Sequence, residues 1–391
     1  MVKRTIESKL LAYIKRYPVL TLTGPRQSGK TTLCRELFSK HKYFSLENID
    51  TRNYANNDPR GFLSDCLPAG AVLDEIQRAP DLVSYIQGLV DKNEKAGLFI
   101  LTGSQNFQVV NTISQSLAGR SALATLMPFS VEEIYKKSWP SLGKVLYTGF
   151  YPRIHDKSLN PTEALSFYVS TYLERDIRNL INIKDLSKFE VFLKLCAGCT
   201  GQILNISRLA NDCGINHNTA KSWLSMLEAS YIIFFLRPHY RNFRKRLVKS
   251  PKLYFTDIGL AAYLLDIKNP QHLLTHPLKG ALFETFVIME ILKARFNHGQ
   301  TSNLYYFRDN IGNEVDLVLD CPQGMIPVEI KFGKTVTTDS LRGLRYYNKV
   351  NKHSLKGYLI YGGDERQSRS EASIVPYRDI GKFVNDLFKK H

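Results

Sequence analysis

The sequence predicts an α/β chain in three parts: a mostly parallel sheet flanked by helices over residues 1–155, a helical part over 156–278, and a smaller α/β part over 279–391. Three observations lead there. Short apolar, β-branched runs alternate with helical stretches up to about Pro152, the pattern of βαβ units. From Pro161 to about Leu236 the pattern turns helical. A further compositional change near Lys279 brings one long helix and then several short strands.

The first part begins with a strand at Val19 to Thr23 (VLTLT), a glycine loop, and a helix expected from about Lys30 to His41. Further strands are expected at Tyr43 to Leu46, at Ala71 to Leu73 before Asp74-Glu75, and at Leu98 to Leu101 before Thr102-Gly103-Ser104-Gln105. The loop fits G-x-x-x-x-G-K-S/T at every fixed position and lies between a strand and a helix, the context that this phosphate-binding motif requires. Its glycines let backbone N–H groups close around phosphates, and the helix N-terminus adds partial positive charge. The residues expected to bind nucleotide are Gly24, Pro25, Arg26, Gln27, Ser28, Gly29, Lys30, Thr31 and Thr32. Lys30 is expected to reach the β- and γ-phosphates of ATP, and the Thr31 hydroxyl to ligate Mg²⁺.

Asp74 and Glu75 follow an apolar strand. There Asp74 helps hold Mg²⁺ and Glu75 polarises the attacking water; an acidic pair at a strand end can also cap a helix. Ser104 and Gln105, after the next strand, are candidates to sense the γ-phosphate, with an ordinary loop as the other reading. Arg120 is a candidate arginine finger for a neighbouring subunit's nucleotide, and Arg153 and Arg175 compete for that role.

The segments GPRQSGKTTL, LDEIQ, FILTGSQNF, LAGR, PFSVEE and YLERDI together resemble the AAA-superfamily ATPases of bacteria and archaea that carry an uncharacterised C-terminal domain. The resemblance covers nearly the whole chain. It implies ATP hydrolysis and a winged-helix middle domain, and leaves the biological role open.

In the middle part, Ile206 to Ser230 has helix-turn-helix spacing. Leu209 and Ala210 face inward from the first helix, and Gly214 permits the turn with Ile215 buried beside it. Trp223, Leu224 and Leu227 form the inner stripe of the second helix. That helix would present Asn216, His217, Asn218, Thr219, Lys221 and Ser222 outward, polar types able to touch bases or phosphates. Tyr231 to Arg237 is expected to start a wing. Arg237, Arg241, Arg244, Lys245, Arg246, Lys249 and Lys252 follow, interleaved with His239, Tyr240 and Phe243, a composition suited to nucleic acid. A lid, a protein contact or a merely solvated face is the competing reading.

In the last part a helix is expected over Ala281 to Phe296, with strands at Leu304 to Phe307, Val315 to Leu319, Pro327 to Phe332 and Tyr358 to Tyr361. Glu314-Val-Asp316 and, across a connection containing Pro322 and Gly324, Glu329-Ile-Lys331 read as a hairpin. Strand periodicity puts Glu329 and Lys331 on one face. Paired carboxylates can hold Mg²⁺ or Mn²⁺ and a lysine can orient water. The D…E-x-K pattern resembles the PD-(D/E)xK nuclease core, in which Glu284 matches the accessory acid beside Asp316, Glu329 and Lys331. Three readings stand: metal-dependent cleavage, a nuclease-like fold that binds without cutting, and an ordinary charged hairpin.

At 391 residues the chain suits two or three domains, and its 43% apolar content is ordinary for a soluble protein. A net charge of +17 favours a polyanionic partner, nucleic acid foremost, over a generally basic surface. The longest apolar run, Tyr231 to Leu236, is far short of the roughly 20 residues of a spanning helix. The N-terminus lacks a secretory pattern, so a cytoplasmic protein without a membrane partner is expected. The six cysteines, including Cys196-x-x-Cys199, are expected to be reduced thiols without zinc. The function expected is Mg²⁺-dependent ATP hydrolysis in a homo-oligomer, a ring among the options, coupled to DNA binding and processing. The competing class is a signalling or scaffolding ATPase whose nucleotide state gates a protein partner.

Overall fold

The computed structural model describes residues 2–93, 95–104, 116–136, 138–173, 186–239 and 250–390. They form two compact units. One comprises Met1–Phe129 with Ala229–Tyr231 and Arg295–Thr301; the other comprises Ser130–Glu228, Ile232–Ala294 and Ser302–His391.

The first unit is built on strands β1 (Val19–Thr23), β2 (Lys42–Ser45), β3 (Ala71–Asp74), β4 (Phe99–Gly103) and β5 (Ser121–Thr125). All are parallel, in the order β2-β3-β4-β1-β5. Helices cover both faces, so the inner strands are apolar on both sides. Val19, Leu73, Phe99 and Leu101 pack on one face with Phe62 and Ile86. Leu20, Leu22, Val72 and Ile100 pack on the other with Leu10 and Leu33. The register aligns Thr23 with Gly103 and Leu73 with Leu101. The glycine loop after β1, the acidic pair at the end of β3 and Ser104 after β4 therefore emerge at one sheet edge, the carboxyl end where α/β sheets bind ligands. The helix after the loop runs Lys30–Leu37, ending before the expected His41, because Phe38 leaves the helical region.

The second unit holds a helix Leu186–Gly198, β6 (Gln202–Ile203), helices Ile206–Cys213 and His217–Ala229, β7 (Ile233–Pro238) and β8 (Lys252–Phe255). Gly214 (φ 65°) ends the first helix of the pair, as its spacing predicted. Trp223 packs edge-on against Phe189 and Phe192. Ile215 is half-buried rather than buried. The helix Pro161–Tyr168 continues as a π-helical turn over Val169–Leu173; Arg175 lies outside the described residues.

Then come the helix Lys279–Asn297, β9 (Leu304–Arg308), β10 (Glu314–Cys321), β11 (Gly324–Lys331), a helix Arg342–Val350, β12 (Gly357–Tyr361), β13 (Gln367–Ser368) and β14 (Ala372–Pro376). Among the described residues these join the preceding strands in a nine-stranded sheet, β13-β14-β12-β11-β10-β9-β7-β8-β6. The join is the parallel pairing of Arg237 on β7 with Tyr305 on β9. The β10–β11 hairpin closes tightly, Cys321 pairing with Gly324, so both strands run longer than the expected ones.

Candidate functional site

The glycine loop is set by backbone conformations that few residues tolerate. Gly24 has φ 145°, and a Cβ there would lie 2.1 Å from the Leu126 carbonyl oxygen. Gly29, with φ 93°, caps the Lys30–Leu37 helix. Lys30 is buried, and its Nζ donates to the carbonyls of Gly24 at 2.9 Å and Pro25 at 2.8 Å. Burial draws its pKa down to about 8, against the upward pull of Glu75 and Asp74. Arg26 lies 3.6 Å from Glu47, while Thr32 is exposed on the helix.

Asp74 is the centre of the acidic end of this site. Its Oδ2 accepts from Thr31 Oγ1 at 2.9 Å and from Tyr43 OH at 2.5 Å, and its Oδ1 accepts from Thr102 Oγ1. Burial, then the bond to Asp74, pushes the Tyr43 hydroxyl up to about 12. Glu75 turns out of the strand in the left-handed region (φ 60°, ψ 51°), and its N–H donates to Thr102 Oγ1 at 3.2 Å. Its Oε2 accepts from Ser104 Oγ at 3.0 Å and from Gln77 Nε2, and Gln77 Nε2 also reaches Ser104 Oγ at 3.2 Å. Thr31, Asp74, Glu75 and Ser104 thus form one connected group. The Thr31 hydroxyl beside the Asp74 carboxylate is a hard-oxygen pair of the kind Mg²⁺ takes.

The three arginines differ in placement. Arg120 directly precedes β5, whose Ser121 pairs with Val19, so it lies at the sheet edge opposite its own chain's glycine loop. There its guanidinium grips Asp91, with Nη2 3.0 Å from Oδ2. Arg153 is exposed on the Pro152–Asp156 helix. Arg175 and Gln105 lie outside the described residues, as do Arg241, Arg244, Lys245, Arg246 and Lys249. On the His217–Ala229 helix, Asn218 and Lys221 are exposed and Thr219 is half-buried. Asn216 accepts from Thr219 N at 2.8 Å, so its side chain caps the helix.

At the C-terminal cluster, Lys331 Nζ lies 2.7 Å from Glu329 Oε2 and 3.1 Å from Asp316 Oδ2, which also accepts from Ile330 N at 2.8 Å. Burial and the Asp316 charge push Glu329 well above the usual carboxylate range. Burial also pushes Asp316 upward, but Lys331, Lys252 and the Ile330 N–H together hold it below that range. Glu284 is turned to other partners: Lys252 Nζ at 3.1 Å and Tyr254 OH at 2.5 Å. Lys252, 3% exposed, also lies 2.6 Å from Glu314. The four expected residues thus share one neighbourhood, but each acid is answered by a lysine. Among the described residues no group of three or more His, Cys, Asp or Glu side chains is placed to hold a metal ion.

Residues 16–135 match the family model of an AAA domain. Residues 140–271 and 279–380 each match a domain of unknown function, DUF8612 and DUF4143 respectively. An uncharacterised protein of Mycobacterium bovis is 31% identical over 379 residues, spanning 95% of this chain and 83% of its own length. An uncharacterised protein of Mycobacterium tuberculosis matches to the same extent. The chain belongs to the family of these mycobacterial proteins. Among solved structures, a Walker-type ATPase of Pyrococcus abyssi is similar at TM-score 0.45 and 13% identity, over 68% of this chain and 96% of that one. AMPPCP-bound DnaA from Aquifex aeolicus is similar at TM-score 0.30 and 12% identity, over 57% and 85%.

Sequence reasoning missed four residues of the AAA domain site. Tyr43, which holds Asp74, was read as an ordinary strand former, and Thr102, which also holds it, was placed in the polar segment after its strand without a role. Gln77, which holds Glu75, stands two positions after it in the LDEIQ segment and could have been found there. Arg4 donates from Nη1 to the Ser28 carbonyl at 2.8 Å, and no local signal marks it. In the C-terminal cluster Lys252 was read as part of the basic stretch and Tyr254 was not singled out. Gly343 was also missed: a Cβ there would lie 2.0 Å from Glu329 Oε1. No helix among the described residues is long and apolar enough to cross a membrane.

Proposed function

We propose that this AAA-domain protein is a Mg²⁺-dependent ATP hydrolase whose turnover is coupled to DNA engagement by the rest of the chain. The observation that carries hydrolysis is Glu75, held by Ser104 and Gln77 beside the Thr31–Asp74 pair. A nucleotide-binding module needs no oriented carboxylate at that point; a hydrolase needs one to polarise water. Mg²⁺, when bound, supplies neutralisation of phosphate charge, and Thr31 and Asp74 are the residues that would hold it. Lys30 would leave the Gly24 and Pro25 carbonyls for the phosphates. In this reading 1–155 is the motor, 156–278 a winged-helix domain and 279–391 a nuclease-like domain, and the chain acts as an oligomer. A neighbour's arginine, Arg120 or Arg153, completes the site, Arg120 after releasing Asp91.

Support for DNA comes from the +17 charge and from element order. Helix, strand, helix, helix, strand and strand is the order of a winged helix, with Asn218, Thr219 and Lys221 at the start of the second helix of the pair, and the basic segment around Arg244 falls in the sequence between the last two strands. The αβββαβ order from Glu284's helix to β12 supports the nuclease-like reading, while the pairing of Lys252 with Glu284 and Glu314 favours binding without metal-dependent cleavage.

The test is ATPase rate against a panel of single-stranded, duplex and branched DNA. Stimulation is expected, with Glu75→Gln inactive throughout. Hydrolysis that persists in Glu75→Gln and Lys30→Ala would refute the ATPase reading. A rate indifferent to every DNA would replace the DNA reading with a nucleotide-gated protein contact.

A further inference from the structure

Arg4 stands just before the Glu7–Ile14 helix and is only 3% exposed. A buried guanidinium is costly unless its donors are met. Two of them are met by backbone. Nη1 donates to the Ser28 carbonyl at 2.8 Å and Nη2 to the Met127 carbonyl at 2.7 Å, and the guanidinium lies over the Phe129 ring at 4.8 Å. The two carbonyls belong to segments that meet at the glycine loop. Ser28 is inside the loop, and Met127 follows Leu126, whose carbonyl oxygen backs Gly24 so closely that no Cβ would fit.

In a trans peptide the C=O and the following N–H point in opposite directions. Holding the Ser28 carbonyl toward Arg4 therefore turns the Gly29 N–H to the other side of the loop. Gly29 sits at φ 93°, a conformation the chain does not adopt by default. We propose that Arg4 is a positioning residue of the phosphate cradle: it fixes the Ser28–Gly29 peptide so that the Gly29 N–H already faces the phosphates when nucleotide arrives. This rests on the ATP-binding reading of the loop. Preorganised donors cost no reordering on binding, so the benefit falls on affinity. Lysine, a single point charge, cannot span the two carbonyls as the planar fork does.

The experiment compares Arg4→Lys, with Arg4→Gln as a second variant should the first not fold, against the full-length wild type. Folding is checked by circular dichroism. Binding of a fluorescent ATP analogue and steady-state hydrolysis are then measured. The expected result is a loss of affinity of roughly tenfold, the equivalent of one charge-assisted hydrogen bond, with a matching rise in KM and kcat within about twofold of wild type. A purely structural role would lower the active fraction, hence kcat, and leave KM alone. An unmoved KM and affinity in a folded variant, or a fall in kcat alone, overturns the proposal. If wild type itself shows no binding that Lys30→Ala removes, the ATP-binding reading fails instead, and the two failures are told apart.

Discussion

Glu75 shows how a single residue is placed for chemistry. A non-glycine residue in the left-handed region is strained, and such strain persists only where neighbours over-determine it. Here Thr102 holds its N–H while Ser104 and Gln77 hold its carboxylate. Glu75→Gln is expected to lower kcat by roughly 10²–10⁴, the usual worth of a general base. Gln77→Ala removes only one hydrogen bond to that carboxylate and should lower kcat about tenfold with KM for ATP unchanged. Phosphate release measured over a range of ATP concentrations reads both, and an unaltered kcat in Gln77→Ala would remove that residue from the site. At this scale the motif residues were legible because phosphate chemistry fixes their types and spacing. Tyr43, Thr102 and Arg4 were not, since each is defined by the atom it touches across the fold, whereas Gln77 stands only two positions from the Glu75 it holds.

The helices followed the sequence where a hydrophobic stripe and a stop signal coincided. The pair Ile206–Cys213 and His217–Ala229 was readable from Leu209, Ala210, Gly214, Trp223, Leu224 and Leu227. What that stripe packs against was not readable. Trp223 is wedged between Phe189 and Phe192 of the Leu186–Gly198 helix. Trp223→Ala should therefore destabilise this unit by about 3–5 kcal/mol, as large-to-small changes in cores do. Urea denaturation followed by far-UV circular dichroism measures it, and a loss below about 1 kcal/mol would mean the indole is not part of the core. Strands were harder. β5 (Ser-Ala-Leu-Ala-Thr) is an edge strand with Leu123 exposed, and its small residues carry little strand signal. β8 begins with a lysine buried against Glu284 and Glu314, which sequence reasoning assigned to the basic surface.

At the scale of the whole molecule, the decisive features are pairings between distant segments. β7 joins β9 across nearly seventy residues of chain, and Lys252 reaches acids that come from a helix and a strand further on. In the C-terminal cluster two lysines already answer the carboxylates that a divalent cation would need. Incubating the protein with Mn²⁺ and branched, single- or double-stranded DNA is therefore expected to yield no product that Asp316→Asn abolishes. Gel electrophoresis of end-labelled substrates checks this, and Asp316-dependent cleavage would restore the metal-dependent reading.

The Gly24 to Thr31 loop, the Asp74-Glu75 pair and the alternation of strands and helices are all readable in the sequence alone, because phosphate binding and βαβ packing constrain residues that are close together in the chain. Which side chain holds each acid was decided only by the fold. Asp74 receives Thr31, Tyr43 and Thr102, and Glu284 receives Lys252 and Tyr254, through contacts that span tens of residues and leave no local pattern. Hydrogen bonding depends on where atoms meet in space, and no periodicity in a single sequence records that meeting.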